Sequence, residues 1–107
     1  MKIGIVISTN EPEIVLNAFR FGVTALTANN EVKVFLINKG VELEEINNNE
    51  HDVKKQVDSF IENKGQILAC GTCLKSRQKK GSDICPISTM AELLKLVEDS
   101  DKLLTFG

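Results

Sequence analysis

The sequence predicts an α/β fold in which a parallel sheet lies between helical layers, and three observations carry that reading. Short apolar runs recur along the 107 residues, at Ile3 to Ile7, Val32 to Ile37, Ile67 to Cys70 and Leu103 to Phe106. None of them alternates with polar residues, which is the pattern of strands covered on both faces. Stretches of helical period separate them, and parallel strands need such crossovers, which are right-handed.

The elements follow in order. After the first strand, Ile14, Val15, Ala18, Phe19, Gly22 and Leu26 fall on one helical stripe, opened by Asn10 with Glu13 three residues on, a capping-box spacing. The second strand ends at Asn38-Lys39-Gly40, and Asn47-Asn48-Asn49-Glu50 reads as a loop. A second helix is expected from Asp52 to Asn63, with Val53, Val57, Phe60 and Ile61 inward and Gly65 just past its end. The third strand closes at Cys70. A short strand is expected between Gly81 and Pro86, and a last helix from Met90 to Glu98, capped by Thr89 and Glu92, with Leu93, Leu94 and Val97 as its inner stripe. In such sheets ligands gather beyond the carboxyl ends of the strands. Ser8-Thr9-Asn10, Asn38-Lys39-Gly40, Cys70-Gly71-Thr72-Cys73 and Cys85-Pro86 should therefore share one edge.

Composition bounds the function. A chain of 107 residues, 42% hydrophobic and 26% charged with no internal shift, matches a single domain spanning 1–107. A net charge of −2 and a pI near 5.4 provide no basic field, which disfavours nucleic acid and anionic membrane as partners. The apolar start is too short for a signal h-region, and no stretch is long enough to span a bilayer, so a cytoplasmic location is expected. Three cysteines without a secretory signal leave metal binding, redox work or burial rather than a disulfide framework. No cofactor is expected: Ser8-Thr9-Asn10-Glu11 lacks the glycines of a phosphate loop, and no paired-carboxylate or nucleophilic-serine motif stands out.

The tetrapeptide Cys70-Gly71-Thr72-Cys73 sits where an apolar strand gives way to a polar, helix-compatible stretch. A thiol there meets the partial positive charge of a helix start, which favours the thiolate. Lowering a thiol pKa from about 8.5 to about 7 makes it roughly half ionised, worth ~2 kcal/mol. Cys70 is the better placed, since Gly71 lets the backbone turn close to the sulfur; the alternative is a small residue buried at a strand end. Cys73 is either a resolving thiol one helical turn on or a residue packed beside Leu74. Cys85 either approaches the same edge or is simply buried. Lys75, Arg77, Lys79 and Lys80 form a basic patch that either steers an acidic partner or is a solvated helix face. Cys70, Cys73, Cys85 and His51 would make a Cys₃His zinc set, but their spacing is unlike a knuckle pair and His51 sits among polar residues, so no metal is expected.

The segments ILACGTCLKSR (67–77), ICPISTM before the last helix, DKLLTFG at the end and EVKVFLINKGVEL (31–43) together resemble the DsrE/DsrF-like family of small sulfur-relay proteins. The resemblance implies a three-layer α/β/α sandwich around a five-stranded parallel sheet, assembled as a homo-oligomer, a trimer or hexamer. It also implies a persulfide on the cysteine that ends the third strand, which by position is Cys70. The second cysteine, Cys73, departs from the single reactive thiol that sulfur-relay members use on this loop.

The sequence therefore points to a sulfurtransferase-like persulfide carrier acting between sulfur donor and acceptor proteins. Cys70 and Cys73 are its chemical residues, and Gly71, Thr72, Lys75, Arg77, Cys85 and Asn10 its supporting set. A thiol-disulfide oxidoreductase is the rival, motivated by the CxxC but weakened by the absence of tryptophan and by Thr72 where thioredoxin-like proteins usually place proline. A non-catalytic oligomeric binding module is the third reading.

Overall fold

Five short strands, all parallel, form one sheet in the order β4-β3-β2-β1-β5. The computed structural model describes residues 1–107. Its elements are β1 (Lys2–Ile7), α1 (Pro12–Thr27), β2 (Glu31–Leu36), a 3₁₀ segment (Asn38–Glu45), α2 (Val53–Glu62), β3 (Gln66–Cys70), α3 (Gly71–Ser76), β4 (Ile87–Ser88), α4 (Met90–Asp99) and β5 (Lys102–Phe106). The α/β class and the five-stranded parallel sheet are as expected from the sequence, and the helices lie on both faces.

On one face α1 crosses Ile5 at Gly22 and packs along α2. The rings of Phe19 and Phe60 meet edge to face there, with centroids 5.3 Å apart and an interplanar angle of 83°. Such pairs add about 0.5–1.5 kcal/mol beyond the area they bury. Together with Ile5, Ile7, Val15, Val34 and Leu36 they form the driest part of the core. On the other face α4 lies over β1, where Leu96 packs above Gly4.

Local chemistry explains most boundaries, with three corrections. Helix α1 is capped by Glu11, whose carboxylate accepts the Ile14 N–H at 2.9 Å, while Pro12 takes the first turn where its missing N–H costs nothing. Asn10 is thus released from the capping role expected of it. The fourth strand follows Pro86 instead of preceding it, with Ala69 paired to Ile87 and Cys70 to Ser88. The stripe of α4 is also turned: Leu96 is buried at 7%, whereas Leu94 and Val97 stand 58% and 43% exposed. A single helix on this face rests on the glycine floor at Gly4, and Leu96 is the side chain that reaches it. Met90, Leu94 and Val97 face outward in consequence.

The 3₁₀ segment was not anticipated. It enters through Asn38 in the left-handed region (φ 53°), a conformation asparagine tolerates, and kinks at Glu42. Gly40 holds it over the carboxyl end of β1, so tightly that a β-carbon there would stand 2.2 Å from the Ile7 carbonyl oxygen. Gly40→Ala should therefore displace the segment and lower stability by roughly 2–4 kcal/mol in urea unfolding; an unchanged midpoint would show that the segment yields freely.

Candidate functional site at the carboxyl edge of β3

Cys70 is both the last residue of β3 and the N-cap of α3, with extended backbone (φ −58°, ψ 118°) that turns directly into helix. Gly71 lets the start of α3 lie close to β4, since a β-carbon on it would meet the Ser88 carbonyl oxygen at 3.0 Å. The Cys70 side chain makes no capping bond to the helix amides, and it is 2% exposed among core residues. The open thiol expected at this position is thus a buried one. One turn on, Cys73 is partly exposed and lies against the Cys70 thiol. Both are reduced.

The backbone N–H of Asn38 donates to Cys73 Sγ at 3.2 Å. The 3₁₀ segment after β2 therefore reaches the thiol pair, which no local sequence signal announced. Burial is the main influence on the Cys73 thiol and pushes its pKa up, and the neighbouring Cys70 adds to the rise; the Asn38 amide and Arg77 oppose it without overcoming it.

Around the pair the charges are largely committed. Arg77 donates from Nε to Glu42 at 2.8 Å, and from a terminal nitrogen to the Cys73 carbonyl oxygen at 3.1 Å. Asn10 donates to the other oxygen of Glu42 at 3.1 Å. The Arg77 hydrogen bond holds the Glu42 carboxyl below its usual range, against a smaller opposing effect of burial. Lys79 is paired with Glu45. Lys75 is exposed and makes no ion pair, and Thr72 is exposed at the start of α3. Of the basic patch, only Lys75 and Lys80 are free to meet a partner.

Cys85 has other company. It precedes β4, three residues upstream of Ser88, the partner of Cys70, and it is 6% exposed. Its neighbours are Glu44 and Ser82, whose hydroxyl accepts the Cys85 N–H at 3.0 Å. Desolvation, reinforced by the Glu44 carboxylate, pushes its thiol up to about 12. No three histidine, cysteine, aspartate or glutamate side chains, His51 included, converge closely enough to hold a metal ion.

The profile of the DsrE/DsrF-like family matches residues 1–106. The chain belongs to the DsrE/DsrF-like family. An uncharacterised protein of Methanopyrus kandleri is 35% identical over 95 residues, which cover 83% of this chain and 78% of the relative. An uncharacterised protein of Methanocaldococcus jannaschii is 33% identical over 110 aligned positions, covering 94% of this chain and 96% of that one. A conserved protein of unknown function from Bacteroides thetaiotaomicron has the same fold, with a TM-score of 0.76 at 17% identity over 97% of this chain and 93% of its own.

For this DsrE/DsrF-like chain, the fold brings Cys70, Cys73, Gly71, Thr72, Arg77 and Asn10 to one edge, and Cys85 lies against Glu44 of the 3₁₀ segment that also reaches Cys73. Asn38, Glu42 and Ser88 are the residues that sequence reasoning missed. Ser88 could have been found from its place in ICPISTM had the strand been set after Pro86; nothing marked Glu42. No helix is long and apolar enough to cross a membrane.

The Cys85 thiol has a consequence for stability. Because its folded pKa, about 12, lies above the unfolded value, the stabilisation is complete below about pH 8.5 and is lost as pH rises toward 12. Unfolding midpoints in urea should fall between pH 8 and pH 11, and Cys85→Ala should flatten that fall; an equal pH dependence in the variant would assign it to other groups.

Proposed function

We propose that this chain is a sulfurtransferase-like carrier that holds sulfane sulfur as a persulfide on Cys70. The observation that carries the reading is the contact of two reduced thiols at the end of β3, in a family associated with sulfur relay. The Cys70 thiolate attacks the outer sulfur of a donor persulfide, R–S–SH. The donor S–S bond breaks, a new S–S bond forms, and R–S⁻ departs, leaving Cys70–S–SH. An acceptor thiolate then takes the outer sulfur by the same displacement and regenerates the Cys70 thiolate, with no net oxidation. Burial of Cys70 confines the approach to the side of Cys73 and shields the loaded sulfur from solvent. Donor and acceptor are proteins of a cytoplasmic relay in this reading, and the exposed Lys75 and Lys80 suit acidic ones.

The contact between the thiols also favours a second reading, a reversible Cys70–Cys73 disulfide. The two are linked chemically: attack of the Cys73 thiolate on the inner sulfur of Cys70–S–SH forms that disulfide and expels HS⁻.

Exposure of Met90, Leu94, Val97 and Leu103, at 57%, 58%, 43% and 40%, supports assembly into a homo-oligomer, a trimer or hexamer. Leu94→Asp should shift the protein to monomer in sedimentation analysis; a monomeric wild type would end this part of the reading.

Incubation with a cysteine desulfurase and cysteine should add one sulfur to the tryptic peptide spanning residues 65–75. Cys73→Ser should keep the addition and retain it longer, and Cys70→Ser should lose it. Loading that survives in Cys70→Ser would refute the assignment, and a redox titration that finds a reversible bond without any sulfur uptake would favour the disulfide.

A further inference from the structure

We propose that the Ser88 hydroxyl is the hydrogen-bond donor that positions the outer sulfur of the Cys70 persulfide, an inference that rests on the carrier reading above. Ser88 is 3% exposed, and its Oγ is the one buried side-chain oxygen or nitrogen without a hydrogen-bond partner. A buried hydroxyl left unpaired is costly, and native proteins rarely retain one without a use.

Its place in the fold says what the use is. Ser88 is the register partner of Cys70 across β3 and β4. Paired residues on neighbouring parallel strands project to the same face, so the two side chains leave the sheet on one side, with the hydroxyl not bonded to the Cys70 sulfur. The strands are drawn together where the Ser88 carbonyl oxygen approaches Gly71. Ser88 is also held from behind, because Thr89 is the N-cap of α4, with its side chain accepting the Glu92 N–H at 3.2 Å.

A neutral thiol is a weak acceptor, and Cys70 in that form leaves Ser88 unpaired. A persulfide lengthens the side chain by one S–S bond, about 2.0 Å, and places a sulfur at its tip that ionises more readily than a thiol. An anionic sulfur in a buried position needs a donor, and Ser88 has a hydroxyl proton committed to nothing else. The hydroxyl gains its partner only when Cys70 is loaded. Ser88 is thus a positioning residue that favours the persulfide over the bare thiol.

The test uses sodium polysulfide as the sulfur source in a Cys73→Ser background, where any added sulfur on the peptide lies on Cys70. Ser88→Ala should fold with a melting temperature equal to or above that of its parent, since it removes an unpaired buried group. Its persulfide should decay about tenfold faster on exposure to a competing thiol, and the pH midpoint for alkylation of the outer sulfur should rise. Ser88→Thr, which keeps the hydroxyl, should restore both. Parental decay and pH midpoint in Ser88→Ala would overturn the inference while leaving the carrier reading intact. A lower melting temperature in Ser88→Ala with proportionate loss of loading would assign the hydroxyl a structural role, again overturning it. Absence of loading on Cys70 in the parent would overturn the carrier reading and this inference together.

Discussion

The passage from strand to helix at Cys70 and Gly71 is the constraint on which the rest of the site depends. A residue that ends β3 and caps α3 has its backbone direction set twice, once by the ladder to β2 and β4 and once by the first helical turn. Gly71 lets β4 approach closely, since a β-carbon there would stand 3.0 Å from the Ser88 carbonyl oxygen. One helical turn then returns Cys73 to the Cys70 sulfur, and the ladder to β4 makes Ser88 the register partner of Cys70. The two thiols are brought into contact by one backbone junction, and a shift there would separate them.

Electrostatics distinguishes Cys73 from Cys85. Cys85 is desolvated next to a carboxylate, so its proton is held firmly and it belongs to the core. Cys73 is also raised by burial and by its neighbour, but it alone receives a backbone N–H. The cations that might have stabilised a thiolate are spent elsewhere: Arg77 lies against Glu42 and Lys79 against Glu45. The 3₁₀ segment supplies both carboxylates as well as the Asn38 amide. It therefore acts as a shoulder that fixes the charge around the pair.

The two faces of the sheet are unequal. The α1–α2 face has a dry core with paired aromatic rings, whereas the α4 face is covered by one helix that presents apolar side chains outward. A small domain gains stability by burying such surface against further copies. This asymmetry is a property of the chain order, because β1 to β4 are laid down in one direction and only the return to β5 crosses the other face.

Much of the fold was legible in the sequence because it depends on local pattern. The unalternating runs marked four strands, and the helical periods of α1 and α2 identified their buried faces through Val15, Phe19, Val57 and Phe60, although Ile14 and Ile61, expected on those faces, are exposed. The CxxC was visible for the same reason, as four consecutive residues at a change from apolar to polar chain. What failed was everything fixed by contacts between distant segments. Glu11 capped α1 because Asn10 was drawn to Glu42, β4 was set by its ladder to β3 rather than by its own two residues, and α4 rotated to seat Leu96 on Gly4. Residue order alone thus determined the elements, their parallel arrangement and the presence of a thiol pair at a strand end. The tertiary structure alone decided that Cys70 is buried, that Asn38 serves Cys73 and that the Ser88 hydroxyl is buried without a partner, since burial and pairing arise only when separate strands and loops close on the same space.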